Sequence, residues 1–236
     1  MALRGATVEQ KIWNYFKDKG LNDYGCAGLM GNLYAESALN SKNLQNSFEK
    51  KLKYTDETYT KAVDNGQYKN FVRDSAGYGL AQWTYWSRKQ AMLNFAASCK
   101  KSIGDLEMQL DFLYSELSTG YKKVLDVLTS VCSVFEASNA VLLGFERPAD
   151  QSEAVQSKRA SYGEGYYEKY AVKEDKSMAE NKLDNTPDAW AKEAVDWAIK
   201  NKILFGDDTG NLKLHDVCTR QEVVIFINRL YKMLGH

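Results

Sequence analysis

Tyr24-Gly25-Cys26-Ala27-Gly28-Leu29-Met30-Gly31-Asn32-Leu33-Tyr34-Ala35-Glu36-Ser37 is the stretch that decides how this chain folds. It reads as a helix in which Leu29, Met30 and Leu33 are interspersed with the small residues Gly25, Ala27, Gly28 and Gly31. Glycine weakens a helix by about 1 kcal/mol relative to alanine, so repeated glycines imply close helix contact or a snug buried position. Glu36 ends the segment. A glutamate there is ordinarily solvated, but this one follows an apolar run. The chain's two histidines are His215 and His236, so residues 1–214 contain no imidazole to act as base, ligand or shuttle. Acid-base chemistry in that region falls to carboxylates.

On the N-terminal side, Thr7-Val8-Glu9-Gln10 predicts a capping box that opens a helix ending near Gly20, with Ile12, Trp13, Tyr15 and Phe16 on its apolar face. On the other side, residues 40–70 are polar and predict a surface excursion with one short helix from Asp56 to Asp64. Ala76 to Thr84 predicts a short hairpin or extended turn. Three- and four-residue apolar spacing then predicts helices over Trp86–Ser98, Leu106–Leu117, Tyr121–Leu128, Val134–Phe145 and Glu153–Tyr170, and Ser102 with Asp105 supplies a helix start. The expected fold is mainly α: a helical domain with a small β-hairpin element over 1–172, a polar linker over 173–185, and a small helical module over 186–236. In that module Thr186-Pro187-Asp188 predicts a helix start. Thr219-Arg220-Gln221-Glu222 predicts a capping box for a last helix. Two helices and a loop make a marginal core, which predicts a module that leans on a partner surface.

The chain has 236 residues, 44% hydrophobic and 12% aromatic, enough for one sizeable core and a satellite. Thirty-one basic residues balance 31 acidic ones, so nothing electrostatic argues for nucleic acid. Met1 to Gly20 lacks the apolar run of a secretory leader, and no later stretch would span a bilayer. The expectation is a protein held in the cytoplasm, with no membrane insertion, that reaches an outside substrate through something else. Cys26, Cys99, Cys132 and Cys218 have no CxxC spacing and no neighbouring histidine, so no metal or other cofactor is expected. The Asp207-Asp208-Thr209-Gly210-Asn211 run lacks the alternating ligands and closing glutamate of a calcium loop and reads as a turn.

Cleavage of a glycosidic bond needs a carboxylic acid that holds a proton near neutral pH, and apolar or aromatic surroundings favour that state. Glu36 has such neighbours. The segment Asp74-Ser75-Ala76-Gly77-Tyr78-Gly79-Leu80-Ala81-Gln82-Trp83 offers a partner: Tyr78, Gly79, Gln82 and Trp83 would supply stacking and hydrogen-bonding surface to a sugar, although Leu80 and Trp83 also read as core.

The segments GNLYAES (31–37), DSAGYGLAQWTYWSRK (74–89), SIGDLEMQLDFLYSEL (102–117) and FERPAD (145–150) resemble the phage tail lysozyme family over roughly residues 5 to 170. Members resemble goose-type lysozymes and soluble lytic transglycosylases. The resemblance implies a lysozyme-like helical domain, peptidoglycan as substrate, Glu36 as the acid, and Gly79-Leu80-Ala81-Gln82 as the strand lining the cleft. For a second carboxylate, Asp74 is the first choice, with Asp56, Glu57 and Asp64 as alternatives. An Asp74 holding water opposite Glu36 would stand about 6.5–9.5 Å from it and invert the anomeric centre. Without a nearby carboxylate, the muramic acid 6-hydroxyl would attack instead.

The stretch from Ala189 to Glu222 is similar to one S-layer homology repeat, a unit that binds secondary cell-wall polymers, generally as a set of three. The single repeat here implies a wall-binding role for Arg220, Trp190 and Trp197, or self-association that rebuilds a larger surface. Arg220 paired internally and both tryptophans in a core is the competing reading. Together these features predict a phage endolysin of muramidase type acting on a Gram-positive wall. The alternatives are a lytic transglycosylase, a tail-associated lysin, or a non-catalytic wall-binding protein.

Overall fold

In a computed structural model, residues 3–171, 183–207, 209–216, 218 and 220–234 are described. They fall into two compact units, Met1–Val172 and Lys173–His236. Most of the expected linker, residues 173–182, lies outside the described residues, as does Thr219 of the expected C-terminal capping box.

The first unit is built around one helix. Helices α1 (Val8–Asp18) and α2 (Asp23–Ser37) are followed by α3 (Asn46–Leu52), α4 (Asp56–Asp64), α5 (Trp86–Cys99), α6 (Leu106–Thr119), α7 (Lys122–Ser130), α8 (Val134–Val141) and α9 (Glu153–Tyr170). Helix α2 packs against α1, α7, α8 and α9, and its residues from Gly25 to Leu33 are all buried. A helix buried on every side has no polar face. Its glycines allow the close approach. A Cβ on Gly25 would sit 1.9 Å from the Leu128 carbonyl oxygen of α7, and one on Gly31 would sit 2.6 Å from the Arg159 carbonyl oxygen of α9. Backbone atoms cannot yield at those distances, so the chain must keep hydrogen there.

Local signals account for most boundaries. Thr7 and Gln10 form the predicted capping box of α1, Asp105 caps α6, and α4 spans the predicted Asp56–Asp64. Helix α3 was not predicted. It is polar and has no buried residue, so it carries no apolar period.

The predicted β-hairpin is reduced to a turn. Tyr78 and Trp83 exchange backbone hydrogen bonds (3.3 and 3.0 Å) around Gly79–Gln82, and Tyr78 makes one isolated bridge to Leu44. Gly79 (φ +75°) and Gln82 (φ +43°) are left-handed. That geometry closes the loop before a strand can extend.

Helix α8 runs into a π-helical turn, Leu142–Glu146, closed by the Arg147 amide donating to the Leu142 carbonyl at 2.8 Å.

In the second unit, α10 (Lys192–Lys200) begins later than the Thr186-Pro187-Asp188 signature suggests. Residues 184–188 are drawn away by the 210–215 loop. Asn185 donates to the Gly210 carbonyl and accepts from the Leu212 amide, while Asp184 accepts from the His215 amide and ring. Those bonds hold the residues that lead into the signature in the loop rather than in a helix. Helix α11 (Arg220–Met233), like α10, has no buried residue, and Val224, Ile227, Tyr231 and Leu234 are exposed. No described helix is long and apolar enough to cross a membrane.

Candidate active site

Glu36 lies in the last turn of α2, which ends at the left-handed Ala38. Its side chain keeps 19% exposure. Arg159, from α9, donates Nη2 to Glu36 Oε1 at 2.6 Å and Nη1 to Asn32 Oδ1 at 3.2 Å. Asn32 lies one turn before Glu36 and is itself fixed, donating to the Gly28 carbonyl and to Ser138 on α8. The ion pair is thus held from three helices. It supplies the cation that the carbonyl end of a helix does not.

Glu36 opens onto a cleft of about 350 Å³ lined also by Ser37, Ala38, Asn43, Gln45, Asn46, Ser47 and Gln82. Of the predicted sugar-binding residues, Gln82 lines this cleft. Its amide donates to Asn43 Oδ1 at 2.9 Å and to the Gly79 carbonyl at 3.2 Å, which braces the loop at its left-handed residue. Ser37 Oγ donates to the Leu80 carbonyl at 2.9 Å, tying the end of α2 to the same loop. Gly79 packs tightly on Gln109, whose Oε1 accepts from the Leu80 amide.

Tyr78 and Trp83 are fully buried. The Tyr78 hydroxyl bonds Thr60 Oγ1 at 2.6 Å, and Trp83 donates its indole N–H to Glu116 at 2.8 Å. Both rings are core, the alternative that the sequence reading had left open for Trp83. The exposed rings of this region are Tyr85 and Trp86, immediately after the loop.

Asp74 is placed elsewhere. Its side chain is 1% exposed and pairs with the fully buried Lys89 at 2.7 Å. Oδ1 also accepts from the Ala76 amide, and Oδ2 accepts from the hydroxyls of Tyr59 (2.5 Å) and Tyr68 (3.1 Å). Both oxygens are saturated by protein donors, which leaves no lone pair facing the cleft for a water. Burial pushes the Lys89 ammonium below its ordinary value while Asp74 opposes it. Burial and the Asp74 bond push the Tyr59 hydroxyl up. The alternatives do not line the cleft either: Asp56 accepts from the Leu44 amide, Asp64 from Ser102 and the Ile103 amide, and Glu57 pairs with Lys42 at 2.9 Å.

The carboxyl that feels the charge of Glu36 is Glu146, at the end of the π-helical turn. The residue as a whole keeps some exposure, yet its Oε1 has no accessible surface and no hydrogen-bond partner. Burial, then the charge of Glu36, push its carboxyl up to about 8, against the opposing pull of Arg88 and Arg159. Arg88 is itself committed to Glu116 by two bonds of 2.7 and 2.8 Å. Sequence reading missed Arg159 and Glu146 as site residues. Glu146 stood within the quoted FERPAD segment, two residues before Pro148, with no local signal of a buried carboxyl.

In the second unit, Trp190 is 87% exposed, and Trp197 and Arg220 are exposed as well, so neither tryptophan forms a core. Among the described residues no group of three or more His, Cys, Asp or Glu could hold a metal ion. The family model for phage tail lysozyme matches residues 7–170. No curated protein matches the chain.

Proposed function

We propose, taking as premise that the chain belongs to the phage tail lysozyme family, that Glu36 is the general acid of a glycan-cleaving endolysin. The family makes it a phage enzyme that cleaves peptidoglycan. The observation that supports the finer reading is the Glu36 carboxylate at the cleft, oriented by Arg159. In the proposed reaction Glu36 protonates the glycosidic oxygen between muramic acid and glucosamine, and water completes hydrolysis as in a muramidase. Stacking against sugar passes from Trp83 to the exposed Tyr85 and Trp86.

A second reading has one specific observation in its favour: among the described residues, no second carboxylate lines the cleft with Glu36. A lytic transglycosylase needs none, since the muramic acid 6-hydroxyl is the nucleophile. Mass spectrometry of digested peptidoglycan separates the outcomes. New reducing muramic acid is expected; anhydromuramic acid would replace hydrolysis by transglycosylation, and the absence of any cleaved glycan would overturn the assignment.

The second unit is proposed to hold the enzyme on a Gram-positive wall through a secondary polymer, using Trp190, Trp197 and Arg220, and to self-associate through its exposed apolar helices. Release from the host cytoplasm through a separate membrane lesion belongs to the same proposal. The Trp190→Ala/Trp197→Ala variant is expected to lose most co-sedimentation with polymer-bearing walls, and the parent to sediment as more than a monomer. Undiminished binding and a strict monomer would remove both roles.

A further inference from the structure

Two guanidinium groups and two carboxylates act electrostatically on a third carboxyl, that of Glu146. Glu36 on α2 is paired with Arg159 on α9, Glu116 on α6 is paired with Arg88 on α5, and Glu146 stands in the field of all four. With every carboxyl ionised the cluster carries one excess negative charge, in a place where Glu146 Oε1 has no accessible surface and no protein donor. An ionised oxygen so placed is costly. With one proton on the cluster the charges balance.

We propose that Glu36 and Glu146 share this single proton across Arg159, so that Glu146 is a positioning residue for the acid. With the proton on Glu146, Arg159 pairs with Glu36, as the structure shows. For catalysis the proton must be on Glu36. The O–H bond on Glu146 then breaks, one on Glu36 forms as the proton passes from one carboxyl to the other, and Arg159 turns to the newly charged Glu146. The cluster's total charge is the same before and after. A lone glutamate beside an arginine would have to gain its proton against an uncompensated cation. Glu146 removes that opposition by becoming the anion in its place.

The elevated proton affinity of Glu146 agrees with this arrangement. Burial is its largest cause and the Glu36 charge the next, with Glu116 adding to them and Arg88 and Arg159 opposing. On this proposal the alkaline limb of activity reports loss of the shared proton.

The inference rests on Glu36 being the acid, and the test keeps the two apart. Rates of soluble muropeptide release from purified walls are measured against pH for the parent, Glu146→Gln, Arg159→Gln and Glu36→Gln. Glu146→Gln should move the alkaline limb down by at least one pH unit, leaving the enzyme about tenfold slower or worse near pH 7, with the deficit closing on acidification. Arg159→Gln should move the limb up. A Glu146→Gln profile with the limb unmoved overturns the shared proton, whatever its height. An active Glu36→Gln enzyme overturns the assignment of the acid instead. If Glu146→Gln does not fold, carboxyl-labelled glutamate in the parent decides by NMR. One glutamate should titrate above pH 7, with a midpoint that falls in Glu36→Gln, and the absence of such a resonance overturns the proposal.

Discussion

The Glu36→Gln variant is expected to release soluble fragments from purified peptidoglycan about 10²–10⁴-fold more slowly than the parent, the range for loss of a positioned acid. Its fold should survive. Glutamine keeps an oxygen that can accept from Arg159, and Arg159 retains its bond to Asn32, so the melting temperature should shift by only a few degrees. Measuring rate and melting together removes the ambiguity of an inactive, unfolded sample. A folded variant that lyses walls at the parental rate would leave Glu36 as a binding residue.

The Asp74→Ala variant is expected to lose about 3–5 kcal/mol of unfolding free energy, the usual consequence of stranding one member of a buried ion pair. Lys89 has no exposure and would keep only the Ala76 carbonyl as a hydrogen-bond acceptor, beside its contact with the Phe71 ring, and the hydroxyls of Tyr59 and Tyr68 would lose their acceptor. Denaturant titration reads the loss directly. Replacing Lys89 by methionine in the same chain should recover part of it, because a neutral, apolar pair no longer carries a stranded cation. That double variant also separates structure from chemistry. If it folds and cleaves peptidoglycan, Asp74 does not position the attacking water; if it folds and is inactive, the aspartate has a role in the reaction.

How much was legible beforehand depended on how local each cause is. The helical character of the first unit followed from apolar spacing. The boundaries of α1 and α6 followed from caps that act within three residues. Glu36 stood out because it closes an apolar helix in a stretch without histidine. Its partners did not, because Arg159 is 123 residues away in sequence and Glu146 reaches the site through a π-helical turn that no simple period announces. The burial of Asp74 was hidden for the same reason. Flanked by serine, alanine and glycine it resembles a loop carboxylate, and only Lys89 and Tyr59, 15 residues to either side, make it buried. The start of α10 shows a local rule overridden: a Thr-Pro-Asp signature was present, but the neighbouring Asp184 and Asn185 were taken by the 210–215 loop.

The glycines of α2 carry a practical lesson for anyone hardening this enzyme. Exchanging helical glycines for alanine is among the most dependable ways to raise a melting temperature, and α2 invites it on paper. Here each missing methyl acts as a spacer of fixed size. Gly31 meets the backbone of Arg159 itself, the residue whose guanidinium holds Glu36. A bulkier residue at that contact would push α9 outward and draw the arginine off the acid, so thermal engineering at this position would detune the chemistry before it strengthened the scaffold. The margin for improvement lies at helical glycines with open space around them, such as Gly165 on α9.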